Sequence, residues 1–93
     1  MTSSAAPLTT TEGIQTWLRA RVSHYVNIPV EQIRIDVRLT DYGMDSLAAL
    51  TFSGEIEDEY GIEVPATMAW DHPTIVAISV LLRRRIDDAA TAS

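Results

Sequence analysis

Apolar residues recur at intervals of three and four in the first third of the chain, as they do on one face of an α-helix. The sequence therefore predicts a first helix from about Thr11 to Val26. Thr11 is expected to cap this helix, and Asn27 and Pro29 are expected to end it. The face that we expect to be buried comprises Ile14, Trp17, Leu18, Val22, Tyr25 and Val26.

A long connection follows, from Ile28 to Asp45, and it is unusually rich in apolar residues. A floppy linker would not carry them, so we expect an ordered loop that lies over the helices, with a helical turn near Val30 to Ile33. A loop of this length inside a small domain is uncommon and is usually functional.

Three more helices are predicted in the second half of the chain. The second helix begins at Ser46 and ends near Tyr60, with Gly61 as its stop. Its core face is expected to comprise Phe52, Ile56 and Tyr60. A short third helix is expected within residues 65–70, and a fourth, capped by Thr74, within residues 74–86. The fold class predicted is all-α, a four-helix bundle with one long loop between helices 1 and 2.

Both ends of the chain are small and polar in character. Residues 1–10 are expected to form a disordered leader and residues 87–93 a disordered tail, which leaves one domain over residues 11–86. No segment resembles a signal peptide, and the longest apolar stretch, within residues 75–82, is too short to span a bilayer. We therefore expect a monomeric protein in the cytoplasm.

Composition narrows the classes of function. The formal net charge is −6, and the chain has no cysteine, which excludes a disulfide framework and a protein thiol nucleophile. An acidic surface repels nucleic acid and anionic membranes and suits partners with basic patches. Eight of the thirteen acidic residues lie within residues 36–63, and no set of residues has the spacing of a metal site.

Ser46 is the residue most open to a chemical role, because it stands where the second helix opens. One interpretation is that it is an ordinary helix cap. The other is that its hydroxyl bears a phosphate group, which the free amides and positive dipole of a helix N-terminus would stabilise. The neighbouring Asp45 could then hold Mg²⁺ during phosphate transfer.

The surrounding residues favour the second interpretation. The segment Leu-Thr-Asp-Tyr-Gly-Met-Asp-Ser-Leu at residues 39–47 resembles the phosphopantetheine attachment motif of acyl carrier proteins. The segments at residues 27–33, 57–65 and 70–75 are similar to other parts of the same family, in the same order. The last is similar to carriers of polyketide synthases and nonribosomal peptide synthetases. The resemblance covers about residues 12–86.

The resemblance implies a carrier domain with 4'-phosphopantetheine as its cofactor. A phosphopantetheinyl transferase would attach the arm to Ser46 with coenzyme A and Mg²⁺, and the arm's thiol would carry an acyl group as a thioester. The protein would not be an enzyme, and it would present its cargo to other proteins. Expected partners are an acyltransferase or an acyl- or aminoacyl-loading ligase, and a ketosynthase or other synthase domains.

In this family the second helix is the main surface for partner recognition. By position, the resemblance assigns partner contacts to Met44, Leu47, Leu50, Glu55, Glu57 and Asp58. Two departures from fatty-acid carriers stand out, because residues 48, 49 and 51 are uncharged and Gly54 lies inside the helix. They favour shape-based docking in secondary metabolism over electrostatic docking.

Two alternatives from other classes remain. The chain could be an unmodified helical interaction module, in which Ser46 serves only as a cap. It could also be a small hydrolase, although Ser46 has no nearby histidine in the sequence and a bundle this small offers no enclosed site. The sequence does not separate an acyl carrier from a peptidyl carrier.

Overall fold

The fold was analysed in a computed structural model, which describes residues 10–92. Within that range the chain forms four α-helices and no β-strand. Helix α1 spans Thr11–Val26, α2 Ser46–Tyr60, α3 Met68–Asp71 and α4 Ile75–Ala92. The predicted all-α bundle with a long loop after α1 and a short third helix is confirmed.

The ends of α1 and α2 follow from their local sequence. Asn27 ends α1 in the left-handed conformation, with φ of 61°, and Gly61 ends α2 in the same way, with φ of 65°. Both stops were predicted. The cap of α1 is Thr10, whose Oγ1 accepts a hydrogen bond from the Gly13 amide at 3.0 Å, so the expected cap at Thr11 was wrong by one residue.

The core lies between the apolar faces of the helices. Helix α1 contributes Ile14, Leu18 and Val22, all fully buried at intervals of four. Helix α2 contributes Phe52 and Ile56. Helix α4 contributes a buried face of Ile75, Ile78, Ser79 and Leu82, which α1 packs against.

The long loop is ordered and is fixed to α1 by hydrogen bonds. It includes a 3-10 turn at Val30–Gln32, as expected, and a second at Leu39–Tyr42 that the sequence analysis did not predict. The Arg19 guanidinium on α1 donates to the carbonyls of Val30 and Ile33, at 2.8 and 3.0 Å.

The same loop is joined to the start of α4 by backbone hydrogen bonds. The Val76 amide donates to the Ile35 carbonyl at 3.0 Å, and the Leu39 amide donates to the Pro73 carbonyl at 2.8 Å. Leu39 itself is buried. The segment that leads to Ser46 is therefore part of the folded body.

The last helix is longer than expected. It begins at Ile75, where the Thr74 hydroxyl accepts from the Ala77 amide at 3.1 Å, as predicted, but it continues to Ala92. The expected disordered tail at residues 87–93 is therefore wrong for residues 87–92. Alanine has the highest helix propensity, and an Arg83–Asp87 ion pair one turn apart supports the extension. Residues 1–9 of the expected leader lie outside the described residues.

Candidate functional site

The chain reaches the start of α2 through a tight reversal at Gly43. Gly43 follows the 3-10 turn with φ of 95°, a conformation that side chains with a Cβ rarely adopt. The next amide, of Met44, donates back to the Leu39 carbonyl at 3.2 Å. This reversal turns Met44 into the core and brings the following two residues to the surface.

Asp45 is the cap of α2. Its backbone is extended, and its Oδ1 accepts a hydrogen bond from the Ala48 amide at 2.8 Å. A side-chain acceptor at this position satisfies one of the donors that a helix leaves free at its start. The cap role that one interpretation gave to Ser46 therefore belongs to its neighbour.

Ser46 is the first residue inside the helix, and it is exposed. Its hydroxyl makes no hydrogen bond to any residue in the range 10–92, so no histidine there is bonded to it as a base would be. The amides of Ser46 and Leu47 precede the first intrahelical bond, which runs from the Ala49 amide to the Asp45 carbonyl at 2.9 Å. An exposed hydroxyl at the positive end of a helix, beside free amides, fits a phosphodiester well.

Two leucines beside Ser46 face solvent. Leu47 is 73% exposed and Leu50 is 54% exposed, whereas Ala49 between them is buried. The expected exposure of both leucines is confirmed. Large apolar side chains exposed together on a small domain are typical of a docking surface.

Met44 does not belong to that surface. It is 4% exposed and lies in the hydrophobic core, so the expectation that it faces partners was wrong. The reason is the reversal at Gly43, which points the Met44 side chain inward.

Glu55 also differs from the expectation of a free acidic group for partners. Both of its carboxylate oxygens accept hydrogen bonds from the Arg21 guanidinium, at 2.8 and 3.0 Å, and Oε1 also accepts from the Tyr25 hydroxyl at 2.5 Å. The Tyr25 hydroxyl, with a further contribution from Arg21, holds the pKa of Glu55 below its usual value. Glu55 thus joins α1 to α2.

The other two acidic residues of α2 are in different environments. Glu57 is half-buried, and its Oε2 accepts from the Val64 amide at 3.0 Å, which fixes the chain after the helix. Asp58 is exposed and has no hydrogen-bond partner within residues 10–92. Of the three acids assigned to partner contact, Asp58 is the one that makes no side-chain hydrogen bond to residues 10–92.

Trp70 is a large aromatic residue at the surface, and the sequence analysis did not predict its exposure. It is 46% exposed on α3, which packs against α2. Its neighbours Met68 and Ala69 are buried. A helix of four residues can bury only one face. The short length of the predicted third helix therefore already indicated that some of its residues would be exposed.

The described residues include no helix long and apolar enough to cross a bilayer. Over the same range, no three histidine, cysteine, aspartate or glutamate side chains are grouped as metal ligands would be.

Comparison with known proteins identifies the family. Residues 16–82 match the model of the phosphopantetheine attachment site family. The chain is 33% identical over 64 residues to the non-reducing polyketide synthase PKS1 of Zymoseptoria tritici. It is 30% identical over 69 residues to one subunit of the phenolphthiocerol/phthiocerol polyketide synthase of Mycobacterium tuberculosis. These matches cover 69% and 74% of the chain but only 3% and 4% of the two synthase polypeptides.

Two solved structures of carrier proteins have a similar fold and a similar size. A free-standing peptidyl carrier protein from a secondary metabolic pathway of Acinetobacter baumannii is 34% identical, with a TM-score of 0.76 over 80% of this chain and 92% of its own. The acyl carrier protein LipD of Actinoplanes friuliensis is 32% identical, with a TM-score of 0.74 over 95% and 98%. The chain belongs to the phosphopantetheine attachment site family, as a carrier domain of the polyketide and peptide synthase type.

Proposed function

We propose that Ser46 is the residue that bears the 4'-phosphopantetheine arm, and that the chain carries acyl intermediates of polyketide or mixed polyketide–peptide assembly on it. The observation that carries this proposal is the exposed Ser46 hydroxyl, which has no hydrogen-bond partner within residues 10–92 and opens α2 inside the matched family region. The arm supplies a thiol on which a carboxylic acid is held as a reactive thioester.

The residues of the chain prepare Ser46 for modification. In the transferase reaction the Ser46 oxygen attacks a phosphorus of coenzyme A, loses its proton to a base of the transferase, and displaces the nucleotide. Asp45 holds the start of the helix through Oδ1, and its second carboxylate oxygen is available to a Mg²⁺ ion brought in with coenzyme A. The free amides of Ser46 and Leu47 then favour the phosphodiester that results.

The polypeptide itself is non-catalytic in this proposal. Its task is to present the cargo, and a flexible arm raises the local concentration of that cargo at a docked enzyme. Leu47 and Leu50 meet the partner beside the arm, and Asp58 meets it further along α2. The partners are the phosphopantetheinyl transferase, an acyltransferase or loading ligase, and a ketosynthase or other synthase domain. We place the protein in the cytoplasm, where coenzyme A is available, as a monomer.

An acyl cargo is favoured over an aminoacyl cargo by the relatives. The two synthases named above are polyketide synthases by name, whereas one similar structure is a peptidyl carrier. Loading assays with malonyl-coenzyme A and with aminoacyl adenylates, each with its own loading enzyme, separate the two cargoes.

The test of the attachment site is the intact mass of the full chain after incubation with coenzyme A, Mg²⁺ and a broad-specificity transferase. We expect a gain of one phosphopantetheine, which Ser46→Ala abolishes. Ser53→Ala is the matched control, because Ser53 is buried in the same helix and donates to the Ala49 carbonyl, and it should gain the same mass. A folded wild-type chain that gains no mass would refute the proposal.

A further inference from the structure

Gly54 is a helical glycine that nothing inside the fold requires. It lies in the middle of α2, is exposed, and does not have a positive φ. A Cβ built at this position would meet no atom of the described residues within 4 Å, apart from its chain neighbours and the backbone of its own helix. Glycine weakens a helix relative to alanine, so the fold alone gives no reason for a glycine here.

Gly54 lies on the same face of α2 as the two exposed leucines. Leu50 and Thr51 are three and four residues from both Leu47 and Gly54, so the four residues share one face of the helix, and all are exposed. Gly54 is eight residues beyond Ser46, which is about 12 Å along the helix axis. An enzyme that acts on an arm at Ser46 therefore approaches a surface with two protruding leucines and a bare stretch of backbone beyond them.

This face carries no charge before Asp58. No ionisable residue occurs within residues 46–54. The Thr51 hydroxyl donates to the Leu47 carbonyl at 3.0 Å, so its polar group is already bonded to the helix. The nearest acid, Glu55, is held by Arg21 and Tyr25 on the side of α1. A neutral, largely apolar surface is complementary to a neutral, apolar partner surface.

We propose that Gly54 is the seat of a protruding apolar side chain of the synthase domain that docks on α2, so that Gly54 determines which partner fits. The inference rests on the proposed function, because it assumes that an enzyme approaches the arm at Ser46. Close approach to the Gly54 backbone, with Leu50 at its edge, replaces the ion pairs that a charged recognition helix would make.

The experiment uses the full chain in its holo form and an acyltransferase domain of a polyketide synthase, selected because it loads the wild-type chain from malonyl-coenzyme A. Loading kinetics are measured by intact mass for the wild type and for Gly54→Leu, which fills the seat. The matched control is Ala20→Leu, which adds the same side chain at an exposed position of α1. Circular dichroism checks that both variants are folded.

We expect Gly54→Leu to raise KM for the carrier by at least about tenfold, and Ala20→Leu to leave it unchanged. Wild-type loading should fall only slightly with NaCl between about 0.05 and 0.5 M, because Asp58 is the one exposed charge on this face of α2 between residues 46 and 58. Equal loading of all three proteins, or a steep loss of wild-type loading with salt, would overturn the inference.

Two further readouts separate the remaining outcomes. If sedimentation shows a wild-type dimer that Gly54→Leu dissociates, the seat belongs to a second copy of the chain and the partner assignment is wrong. Transferase modification is scored separately, at its end point. A wild-type chain that gains no phosphopantetheine contradicts the proposed function, whereas modified variants with unaltered loading contradict only the role of Gly54.

Discussion

Asp45 Oδ1 accepts a hydrogen bond from the Ala48 amide at 2.8 Å, so Asp45, and not Ser46, caps the second helix. The sequence did not show whether Ser46 serves as the helix cap or as a site of modification. In the structure the cap is Asp45, which leaves Ser46 available for modification. Asp45 stabilises the start of the helix, and the Ser46 hydroxyl makes no hydrogen bond to the part of the chain that the structure describes. A modification at Ser46 would therefore disturb no contact that the fold needs.

This division of roles predicts opposite behaviour of two alanine variants. Asp45→Ala should lower the free energy of unfolding by about 1 kcal/mol, because it removes a helix cap. Ser46→Ala should change it by less than about 0.5 kcal/mol, as expected for an exposed position without a hydrogen bond. Urea unfolding of the unmodified proteins measures both. A larger loss for Ser46→Ala than for Asp45→Ala would contradict the assignment of the cap.

The ion pair between α1 and α2 predicts how stability depends on acid pH. The pKa of Glu55 is lowered in the folded state by the Tyr25 hydroxyl and by Arg21, so Glu55 contributes stability above its unfolded pKa of about 4.3. This contribution is lost as the pH falls through the lower, folded value. Glu55→Gln should lower the free energy of unfolding by about 1 kcal/mol at neutral pH, a modest loss because the ion pair is one-third exposed. In the variant the free energy of unfolding should also fall less steeply at acid pH.

Unfolding in urea at a series of pH values from neutral to acid tests this expectation. Asp58→Asn is the matched control on the same helix, because Asp58 is exposed and has no hydrogen-bond partner in the described residues. Its free energy of unfolding should depend on acid pH as it does in the wild type. Identical curves for the two variants would show that the Glu55 pair does not support the fold.

Tyr60 offers a substitution that should stabilise the protein. Its hydroxyl is buried without a hydrogen-bond partner among residues 10–92, while its ring packs edge-on against Trp17 with centroids 5.5 Å apart. Tyr60→Phe keeps the ring contact and removes a polar group that is not satisfied, so the free energy of unfolding should rise by about 1 kcal/mol. Thermal and urea unfolding measure the change, and a clear loss of stability would reveal a hydrogen bond to the hydroxyl.

The same tyrosine predicts an alkaline effect. Burial raises the pKa of Tyr60 to about 12, so below the unfolded value of about 10 the hydroxyl is neutral in both states and full stability is kept. It is lost as the pH rises from there through the folded value. The alkaline limb of the stability curve should be shallower for Tyr60→Phe than for the wild type, and curves that coincide would count against a buried hydroxyl.

Met44 and Leu47 are three residues apart and should respond oppositely to truncation. Met44→Ala removes a core side chain and should cost about 2–5 kcal/mol. Leu47→Ala changes a side chain that is 73% exposed and should cost less than about 0.5 kcal/mol, but it should slow transfer to a partner enzyme. Unfolding and loading kinetics are measured on the same samples. Comparable losses of stability would mean that Leu47 is also a core residue.

Gly54→Ala should stabilise the chain by about 1 kcal/mol, because alanine has the higher helix propensity and the added Cβ meets no described atom within 4 Å beyond its chain neighbours and its own helix backbone. Urea unfolding of the unmodified protein measures it. Gly43→Ala is the contrasting variant, since φ of 95° is strained for any residue with a Cβ, and it should destabilise. A destabilised Gly54→Ala variant would point to an internal contact of the glycine.

Features set by a few neighbouring residues could be predicted from the sequence. The stops at Asn27 and Gly61 and the cap at Thr74 depend on local backbone preferences and nearby hydrogen bonds, and all three are confirmed. The length of α4 was underestimated for a local reason too, because the small residues after Ile86 were taken as a tail although alanine favours a helix.

The site residues that were wrong depend on contacts across the fold. The Glu55 carboxylate was expected to be available to partners. Its ion-pair partner Arg21 is 34 residues earlier in the chain, and no sequence pattern links the two residues. Met44 was expected to face partners because the family resemblance assigned it by position, whereas the direction of its side chain is set by the unpredicted 3-10 turn and the reversal at Gly43. Exposure of Leu47 and Leu50 was predictable, since they lie off the face formed by Phe52 and Ile56.

The hydrogen bonds between the long loop and the start of α4 have a mechanical consequence. Because the Leu39 and Val76 amides bond to the Pro73 and Ile35 carbonyls, the polypeptide before Ser46 cannot swing independently of the helices. A tether that begins at Ser46 would then pivot about a fixed origin, and its reach would depend only on the torsions of the tether. Delivery to successive active sites would require the whole domain to turn, so the linkers or diffusion of the domain would set the pace of the exchange.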